Sequence, residues 1–311
     1  MTAEWAQAAL APSLLTSSVA LEVTPGVILH VQRFRPEHGG KPMLLIHGLV
    51  EDGRIFYSRS GKGLAPWLAA QGYDVFVPDL RAHGQSTPAL QAGMQVTQRQ
   101  LICEDLPALF GLIEREYPGQ PFFAATHSWG GVWLASALIR QPQYLPRVAG
   151  IVHFACKRVI YQRSLRKRVM IDLLWGRAAK LVSRFKGYVP ARALGAGSAD
   201  ESCAVHRETL AWMSGGEWRD LEDGFDYALA LDVLTWPPGL YLAGKHDRYL
   251  GHFEDVKAFA RELGKHDAQI VLLEKGTGCS RDYGHNDMLA HTQAVDDHFP
   301  LVLSWLVQRS R

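Results

Sequence analysis

The chain has 311 residues, 47% apolar and 21% charged, with a formal net charge of +2 at pH 7. Such a balance suits a globular body with a large core and excludes a low-complexity, fibrous or disulfide-stapled chain. It gives no electrostatic reason to expect a nucleic-acid partner, and no run of 18 apolar residues is available to cross a bilayer.

From the N-terminus, residues 1–19 read as an arm ahead of the first strand. Its start, Met1-Thr2-Ala3-Glu4-Trp5, lacks positive charge, and the segment 6–15 is too short and poorly flanked for a signal peptide. Cys103, Cys156, Cys203 and Cys279 are scattered without a Cys-x-x-Cys pair, as free thiols in a reducing compartment would be. The expected location is therefore the cytoplasm.

Strands are expected at 20–23 and 27–34, joined by the turn Thr24-Pro25-Gly26, and then at 43–46, 74–77, 122–125, 148–154, 239–243 and 269–273. The last six are apolar and rich in β-branched or aromatic residues, as strands covered on both faces are. Helical patterns at 63–70, 98–116, 129–140, 253–263 and 296–308 alternate with them. This order predicts an α/β fold, a mostly parallel, doubly wound sheet with helices on both faces.

One region departs from the alternation. Residues 157–236 carry no strand signal and read as a helical cap inserted into a core of residues 20–156 and 237–311. Its first part, 157–192, holds eleven Lys and Arg against one acid, Asp172, so it is +10 and the rest of the chain sums to −8. Aromatic residues lie among these charges, and Trp175 and Phe185 are the candidates for substrate contact. A basic face beside apolar side chains also suits peripheral contact with an anionic surface or substrate.

The chemistry-bearing signal is Phe122-Phe123-Ala124-Ala125-Thr126-His127-Ser128-Trp129-Gly130-Gly131, an apolar strand running into a serine with a helix straight after it. A sharp strand-to-helix turn of this kind strains the backbone at Ser128 and lifts its hydroxyl above the sheet. Thr126 stands where the usual G-x-S-x-G pattern has its first glycine. Further on, the strand at 239–243 ends in Gly244-Lys245-His246-Asp247, and the strand at 269–273 is followed by Asp282-Tyr283-Gly284-His285-Asn286-Asp287. A serine needs a base to attack at neutral pH, and a base of the imidazole type needs a carboxylate to fix its tautomer. Ser128, His285 and Asp247 supply these groups. Asp282 and Asp287 lie too near His285 in sequence to reach its far nitrogen, and Asp226 and Asp232 at the end of the insertion rank behind Asp247.

Two further turns stand out. Met43–Ile46 runs into His47-Gly48-Leu49, so the Leu49 amide, with that of Trp129, is the candidate oxyanion hole. His47 reads as a loop anchor, and Asp79, Arg81 and His83 of Pro78-Asp79-Leu80-Arg81-Ala82-His83-Gly84 read as a hydrogen-bonded brace.

Together these pieces resemble the α/β-hydrolase superfamily, over 20–308 apart from the cap. His47-Gly48-Leu49, Gly72-Tyr73-Asp74-Val75 and Tyr283-Gly284-His285-Asn286-Asp287 are similar to its esterase and lipase branch, which includes acid lipases. The resemblance implies hydrolysis of small-molecule or lipid-like carboxylic esters through an acyl-serine intermediate, with no metal or organic cofactor. The rivals it leaves are an acyltransferase using the same triad and a non-catalytic binding module on the same scaffold.

Overall fold

The computed structural model describes residues 14–310. Eight strands form one sheet: β1 (Leu14–Thr24), β2 (Val27–Pro36), β3 (Lys41–Ile46), β4 (Tyr73–Pro78), β5 (Phe122–His127), β6 (Val148–Phe154), β7 (Gly239–Gly244) and β8 (Ala268–Leu273). Their spatial order is β1-β2-β4-β3-β5-β6-β7-β8. β1 pairs with β2 and β2 with β4 antiparallel, and from β4 onward every pairing is parallel. Each expected strand is present.

β1 begins at Leu14, not at residue 20, so the end of the expected arm belongs to the sheet; the rest of that arm lies outside the described residues. Its alternation is hard to read because Thr16, Ser17 and Ser18 are exposed on an edge strand, where pairing with β2 alone holds them. The central strands β4 and β5 are buried at every position, which is why they read as unbroken apolar runs.

Helices cover both faces. One core cluster packs Leu109, Phe110, Trp133 and Leu138 of the helices after β4 and β5 against one side of the sheet. The other packs Leu64 and Leu68 with Phe299, Val302 and Trp305 of the C-terminal helix against the opposite side. That last helix is Phe299–Gln308, preceded by a short turn at Ala294–Asp297. The break falls at His298, and Pro300 in the first turn explains it, because the ring leaves no N–H to continue a helix from upstream.

β3 lies between β4 and β5, so the connections leaving β3 and β5 run in opposite directions and open a crevice at their carboxyl ends. Between β6 and β7 the regular elements are helices, at Leu165–Lys186 in one continuous run with a π-helical stretch at Arg168–Ala178, then at Cys203–Met213 and Tyr227–Leu231, with isolated antiparallel bridges at Val189–Glu201 and Arg219–Asp226. Buried polar contacts tie this segment to the loops and helices around the sheet. His83 Nε2 meets Glu201 at 3.3 Å, Glu208 accepts from the Gln98 backbone amide at 2.8 Å, and Arg140 pairs with Asp220 at 2.6 Å. Asp79 accepts from the amides of Gly53 and Gln85, and Arg81 pairs with Asp105. Asp79, Arg81 and His83 thus brace the loops.

Candidate active site

Ser128 sits one residue past β5 with φ at +50°, a left-handed conformation that costs a non-glycine residue about 1–2 kcal/mol. The turn is tight on both sides. A Cβ at Gly130 would fall 2.4 Å from the His47 carbonyl oxygen, and one at Gly131 would fall 2.6 Å from Cys156 Sγ. Glycine is therefore required after the serine. Two residues before it, Thr126 is accommodated because its Oγ1 hydrogen-bonds His153 Nδ1 at 2.8 Å, so the hydroxyl that crowds the turn is also satisfied there.

Asp247 follows β7 and His285 follows β8. His285 Nε2 lies 3.0 Å from Ser128 Oγ, and His285 Nδ1 lies 2.5 Å from Asp247 Oδ2. Asp247 is buried, and its other oxygen accepts from the Leu250 amide at 3.0 Å. Three side chains from distant parts of the chain form one hydrogen-bonded line. Burial, helped by the nearby His127 and Lys157, holds the His285 imidazole below its ordinary value although Asp247 draws it up. For Asp247 burial acts upward, but the adjacent His285 outweighs it and the carboxyl stays ionised.

The alternative acids are elsewhere. Asp226 caps the helix at Tyr227 and pairs with Arg219, Asp282 faces His246, and Asp287 accepts from the Gly284 amide.

Leu49 and Trp129 flank Ser128 from the ends of β3 and β5. Neither backbone amide donates to another group among the described residues. Gly48 makes the approach possible, since a Cβ there would lie 2.9 Å from that of Ser128. His47 Nδ1 donates to the Gly48 carbonyl at 2.8 Å and its Nε2 accepts from the Leu80 amide at 3.1 Å, which fixes the loop. The Trp129 indole donates to Gln98 Oε1 at 2.7 Å.

Sequence reasoning missed a second carboxylate–imidazole pair beside this line. Glu51 Oε2 lies 2.8 Å from His127 Nδ1, and His127 Nε2 donates to the His285 carbonyl at 3.0 Å. The same carboxylate oxygen accepts from the Gly48 amide at 2.9 Å. Burial would raise the Glu51 carboxyl, yet His127 draws it down to about 2, and His127 is held above its ordinary value in return. This pair joins the loops of Gly48, Ser128 and His285.

Ser128 and His285 open into a cavity of about 910 Å³ whose walls include Leu49, Ile55, Ile171, Trp175 and Met213. Trp175 therefore reaches the cavity, with its carbonyl accepting from His206. Phe185 does not: it is 85% exposed and away from the cavity wall. The helix that carries it, Ala179–Lys186, buries Ala179 and Ser183 and leaves Phe185 on its outer side.

Residues 40–201, just over half of the chain, match the model of the family described as serine aminopeptidase, S33. No curated protein matches the chain in sequence. Among solved structures, an esterase from Thermogutta terrifontis is 18% identical with a TM-score of 0.56, over 96% of this chain and 100% of that one. A thioesterase domain from the curacin biosynthetic pathway is 18% identical with a TM-score of 0.57, over 93% and 99%. A bromoperoxidase from Bacillus anthracis is 16% identical with a TM-score of 0.59, over 93% and 99%. Likeness at this identity speaks for the fold, while the family model runs through the loops that carry Leu49 and Ser128. The chain belongs to the serine aminopeptidase S33 family of α/β-hydrolases.

Proposed function

We propose that this protein is a serine hydrolase of carboxylic esters, with Ser128 as nucleophile, His285 as base and Asp247 as its orienting acid. The observation that carries this reading is the unbroken line from Asp247 through His285 to Ser128 Oγ on the wall of a cavity lined by both apolar and polar side chains, beside two amides with no partner among the described residues.

In this reading Ser128 Oγ attacks the ester carbonyl as its proton passes to His285 Nε2. The Leu49 and Trp129 amides hold the developing oxyanion, an interaction of a few kcal/mol for each donor. His285 returns the proton to the leaving alcohol, and the acyl group stays on Ser128. Water, deprotonated by the same imidazole, then releases the acid. Asp247 stabilises the imidazolium and keeps Nδ1 as the donor throughout. The insertion at 157–236 acts as the cap over this site, supplying Ile171, Trp175 and Met213, and the four unpaired cysteines suit a cytoplasmic location.

The test is turnover of p-nitrophenyl butyrate across pH. The base must be neutral, and burial lowers His285, so kcat/KM is expected to fall only below about pH 6.5 and to be flat above it. A limb centred well above pH 7, or acyl transfer to an added alcohol in place of acid release, would contradict the hydrolase assignment.

The same insertion suggests where a lipid-like ester is met. Leu165, Leu173, Leu174, Leu181 and Phe185 are exposed on the 165–186 helical run, among Arg166, Arg168, Arg177, Arg184 and Lys186. We expect binding to vesicles containing phosphatidylserine that weakens at least tenfold between about 50 and 300 mM salt. Equal binding to purely zwitterionic vesicles would remove the electrostatic part of this proposal.

A further inference from the structure

One group in the site has no task in the chemistry above. Lys157 follows β6 by three residues, lines the cavity beside Ser128 and His285, and is only 2% exposed. Its Nζ lies 3.5 Å from Ser128 Oγ, its sole hydrogen-bond partner among the described residues. Even as an uncharged amine Nζ carries more than one donor, so at least one faces no acceptor among the described residues in a buried place, where such donors are costly to keep.

Lys157 is not a second base for the serine, because His285 Nε2 holds the shorter approach at 3.0 Å and is itself oriented by Asp247. Nor does it extend the oxyanion hole. β3 and β6 flank β5 on opposite sides. Leu49 therefore reaches Ser128 from one side and Lys157 from the other. What meets Lys157 is a substituent of the reacting carbon on the side away from the oxyanion.

We propose that Lys157 binds a carboxylate of the substrate set close to the scissile ester, so that the preferred substrates are esters carrying an acidic group on their acyl or alcohol part. The proposal rests on the serine-hydrolase reading. A charge-assisted hydrogen bond of about 2.8 Å to Nζ puts the carboxylate oxygen within roughly 6 Å of Ser128 Oγ. A carboxylate roughly one to three carbons from the carbonyl spans that gap. Among the described residues none of the charged neighbours makes a direct contact with Lys157 Nζ. Burial outweighs the upward pull of Asp247, Cys156, Asp255 and Glu51, which lie outside hydrogen-bonding range, and holds the Lys157 amine below its ordinary value. Asp247 and Glu51 are already committed to His285 and His127, Asp255 accepts from the Tyr161 amide, and the other basic side chains on the cavity wall among the described residues are Arg54, Arg59 and His285. An arriving carboxylate supplies the partner that none of these provides.

The experiment compares matched esters on wild type and Lys157→Met. On the acyl side the pair is p-nitrophenyl hydrogen glutarate and p-nitrophenyl pentanoate; on the alcohol side it is O-acetylglycolate and ethyl acetate. Wild type is expected to prefer the acidic member of at least one pair, and the pair that responds identifies which part carries the acid. In Lys157→Met that preference, as a ratio of kcat/KM values, is expected to drop at least about tenfold. Equal loss on both members, or no preference in wild type, overturns the proposal. Should Lys157→Met not fold, inhibition of wild type decides: glutarate competing at least about tenfold better than glutaramide supports the anchor, and equal competition overturns it. Ser128→Ala separates the two readings, since full turnover of both esters by that variant refutes the nucleophile itself, whereas a loss confined to selectivity in Lys157→Met concerns the anchor alone.

Discussion

Replacing Ser128 with alanine is expected to lower kcat for p-nitrophenyl butyrate by about 10⁵-fold or more while leaving the thermal midpoint within a few degrees of wild type. The two halves of this result have separate causes. Alanine keeps the Cβ, so the left-handed turn at residue 128 is as strained as before, and the Ser128 amide still donates to the Phe154 carbonyl at 2.8 Å. Only the hydroxyl's contacts with His285 and Lys157 are lost. The chemistry, by contrast, has no other hydroxyl at that position, and water held by His285 is a poor substitute for an attached nucleophile. A variant retaining a tenth of wild-type turnover would place the nucleophile elsewhere.

Asp247→Asn is expected to lower kcat by about 10⁴-fold with little change in KM. The amide is close in shape to the carboxylate, so the loop after β7 keeps its geometry and the contact to the Leu250 amide can persist. What changes is the hydrogen facing His285 Nδ1. An asparagine NH₂ can donate to Nδ1, which moves the ring proton to Nε2 and leaves no lone pair to accept from Ser128. The variant also removes the buried negative charge that stabilises the imidazolium. Steady-state kinetics at pH 7.5 measure both parameters. A loss of less than about tenfold would mean that another carboxylate orients His285.

Much of this site is legible in the residues because its logic is local. The elbow at Ser128 is written in an apolar strand, a serine and two glycines in succession, and the places of Asp247 and His285 follow from counting strands that are apolar throughout. His47 and Asp79 were readable as loop anchors for the same reason, since tight turns confine the residues that can satisfy their backbone groups. What stayed hidden depends on burial of charge across long sequence separations. Lys157 opens a run of eleven basic residues and looks like the rest of them, yet it is 2% exposed where Arg168 and Arg177 face solvent. Glu51 and His127 are 76 positions apart, and nothing in the local pattern of either announces the pair. Phe185 misled for a different reason: an aromatic among basic residues does not announce which way it faces, and Trp175 reaches the cavity where Phe185 is exposed.

The central claim is that Ser128 is an activated nucleophile and not merely a strained residue in a turn. Incubating the purified protein with a fluorophosphonate probe and mapping the adduct by peptide mass spectrometry tests it most directly. The account predicts one stoichiometric phosphonyl adduct on Ser128, lost in Asp247→Asn at short times and lost on prior heat denaturation. No adduct at Ser128 in the folded protein, or an adduct forming equally well after denaturation, would contradict it.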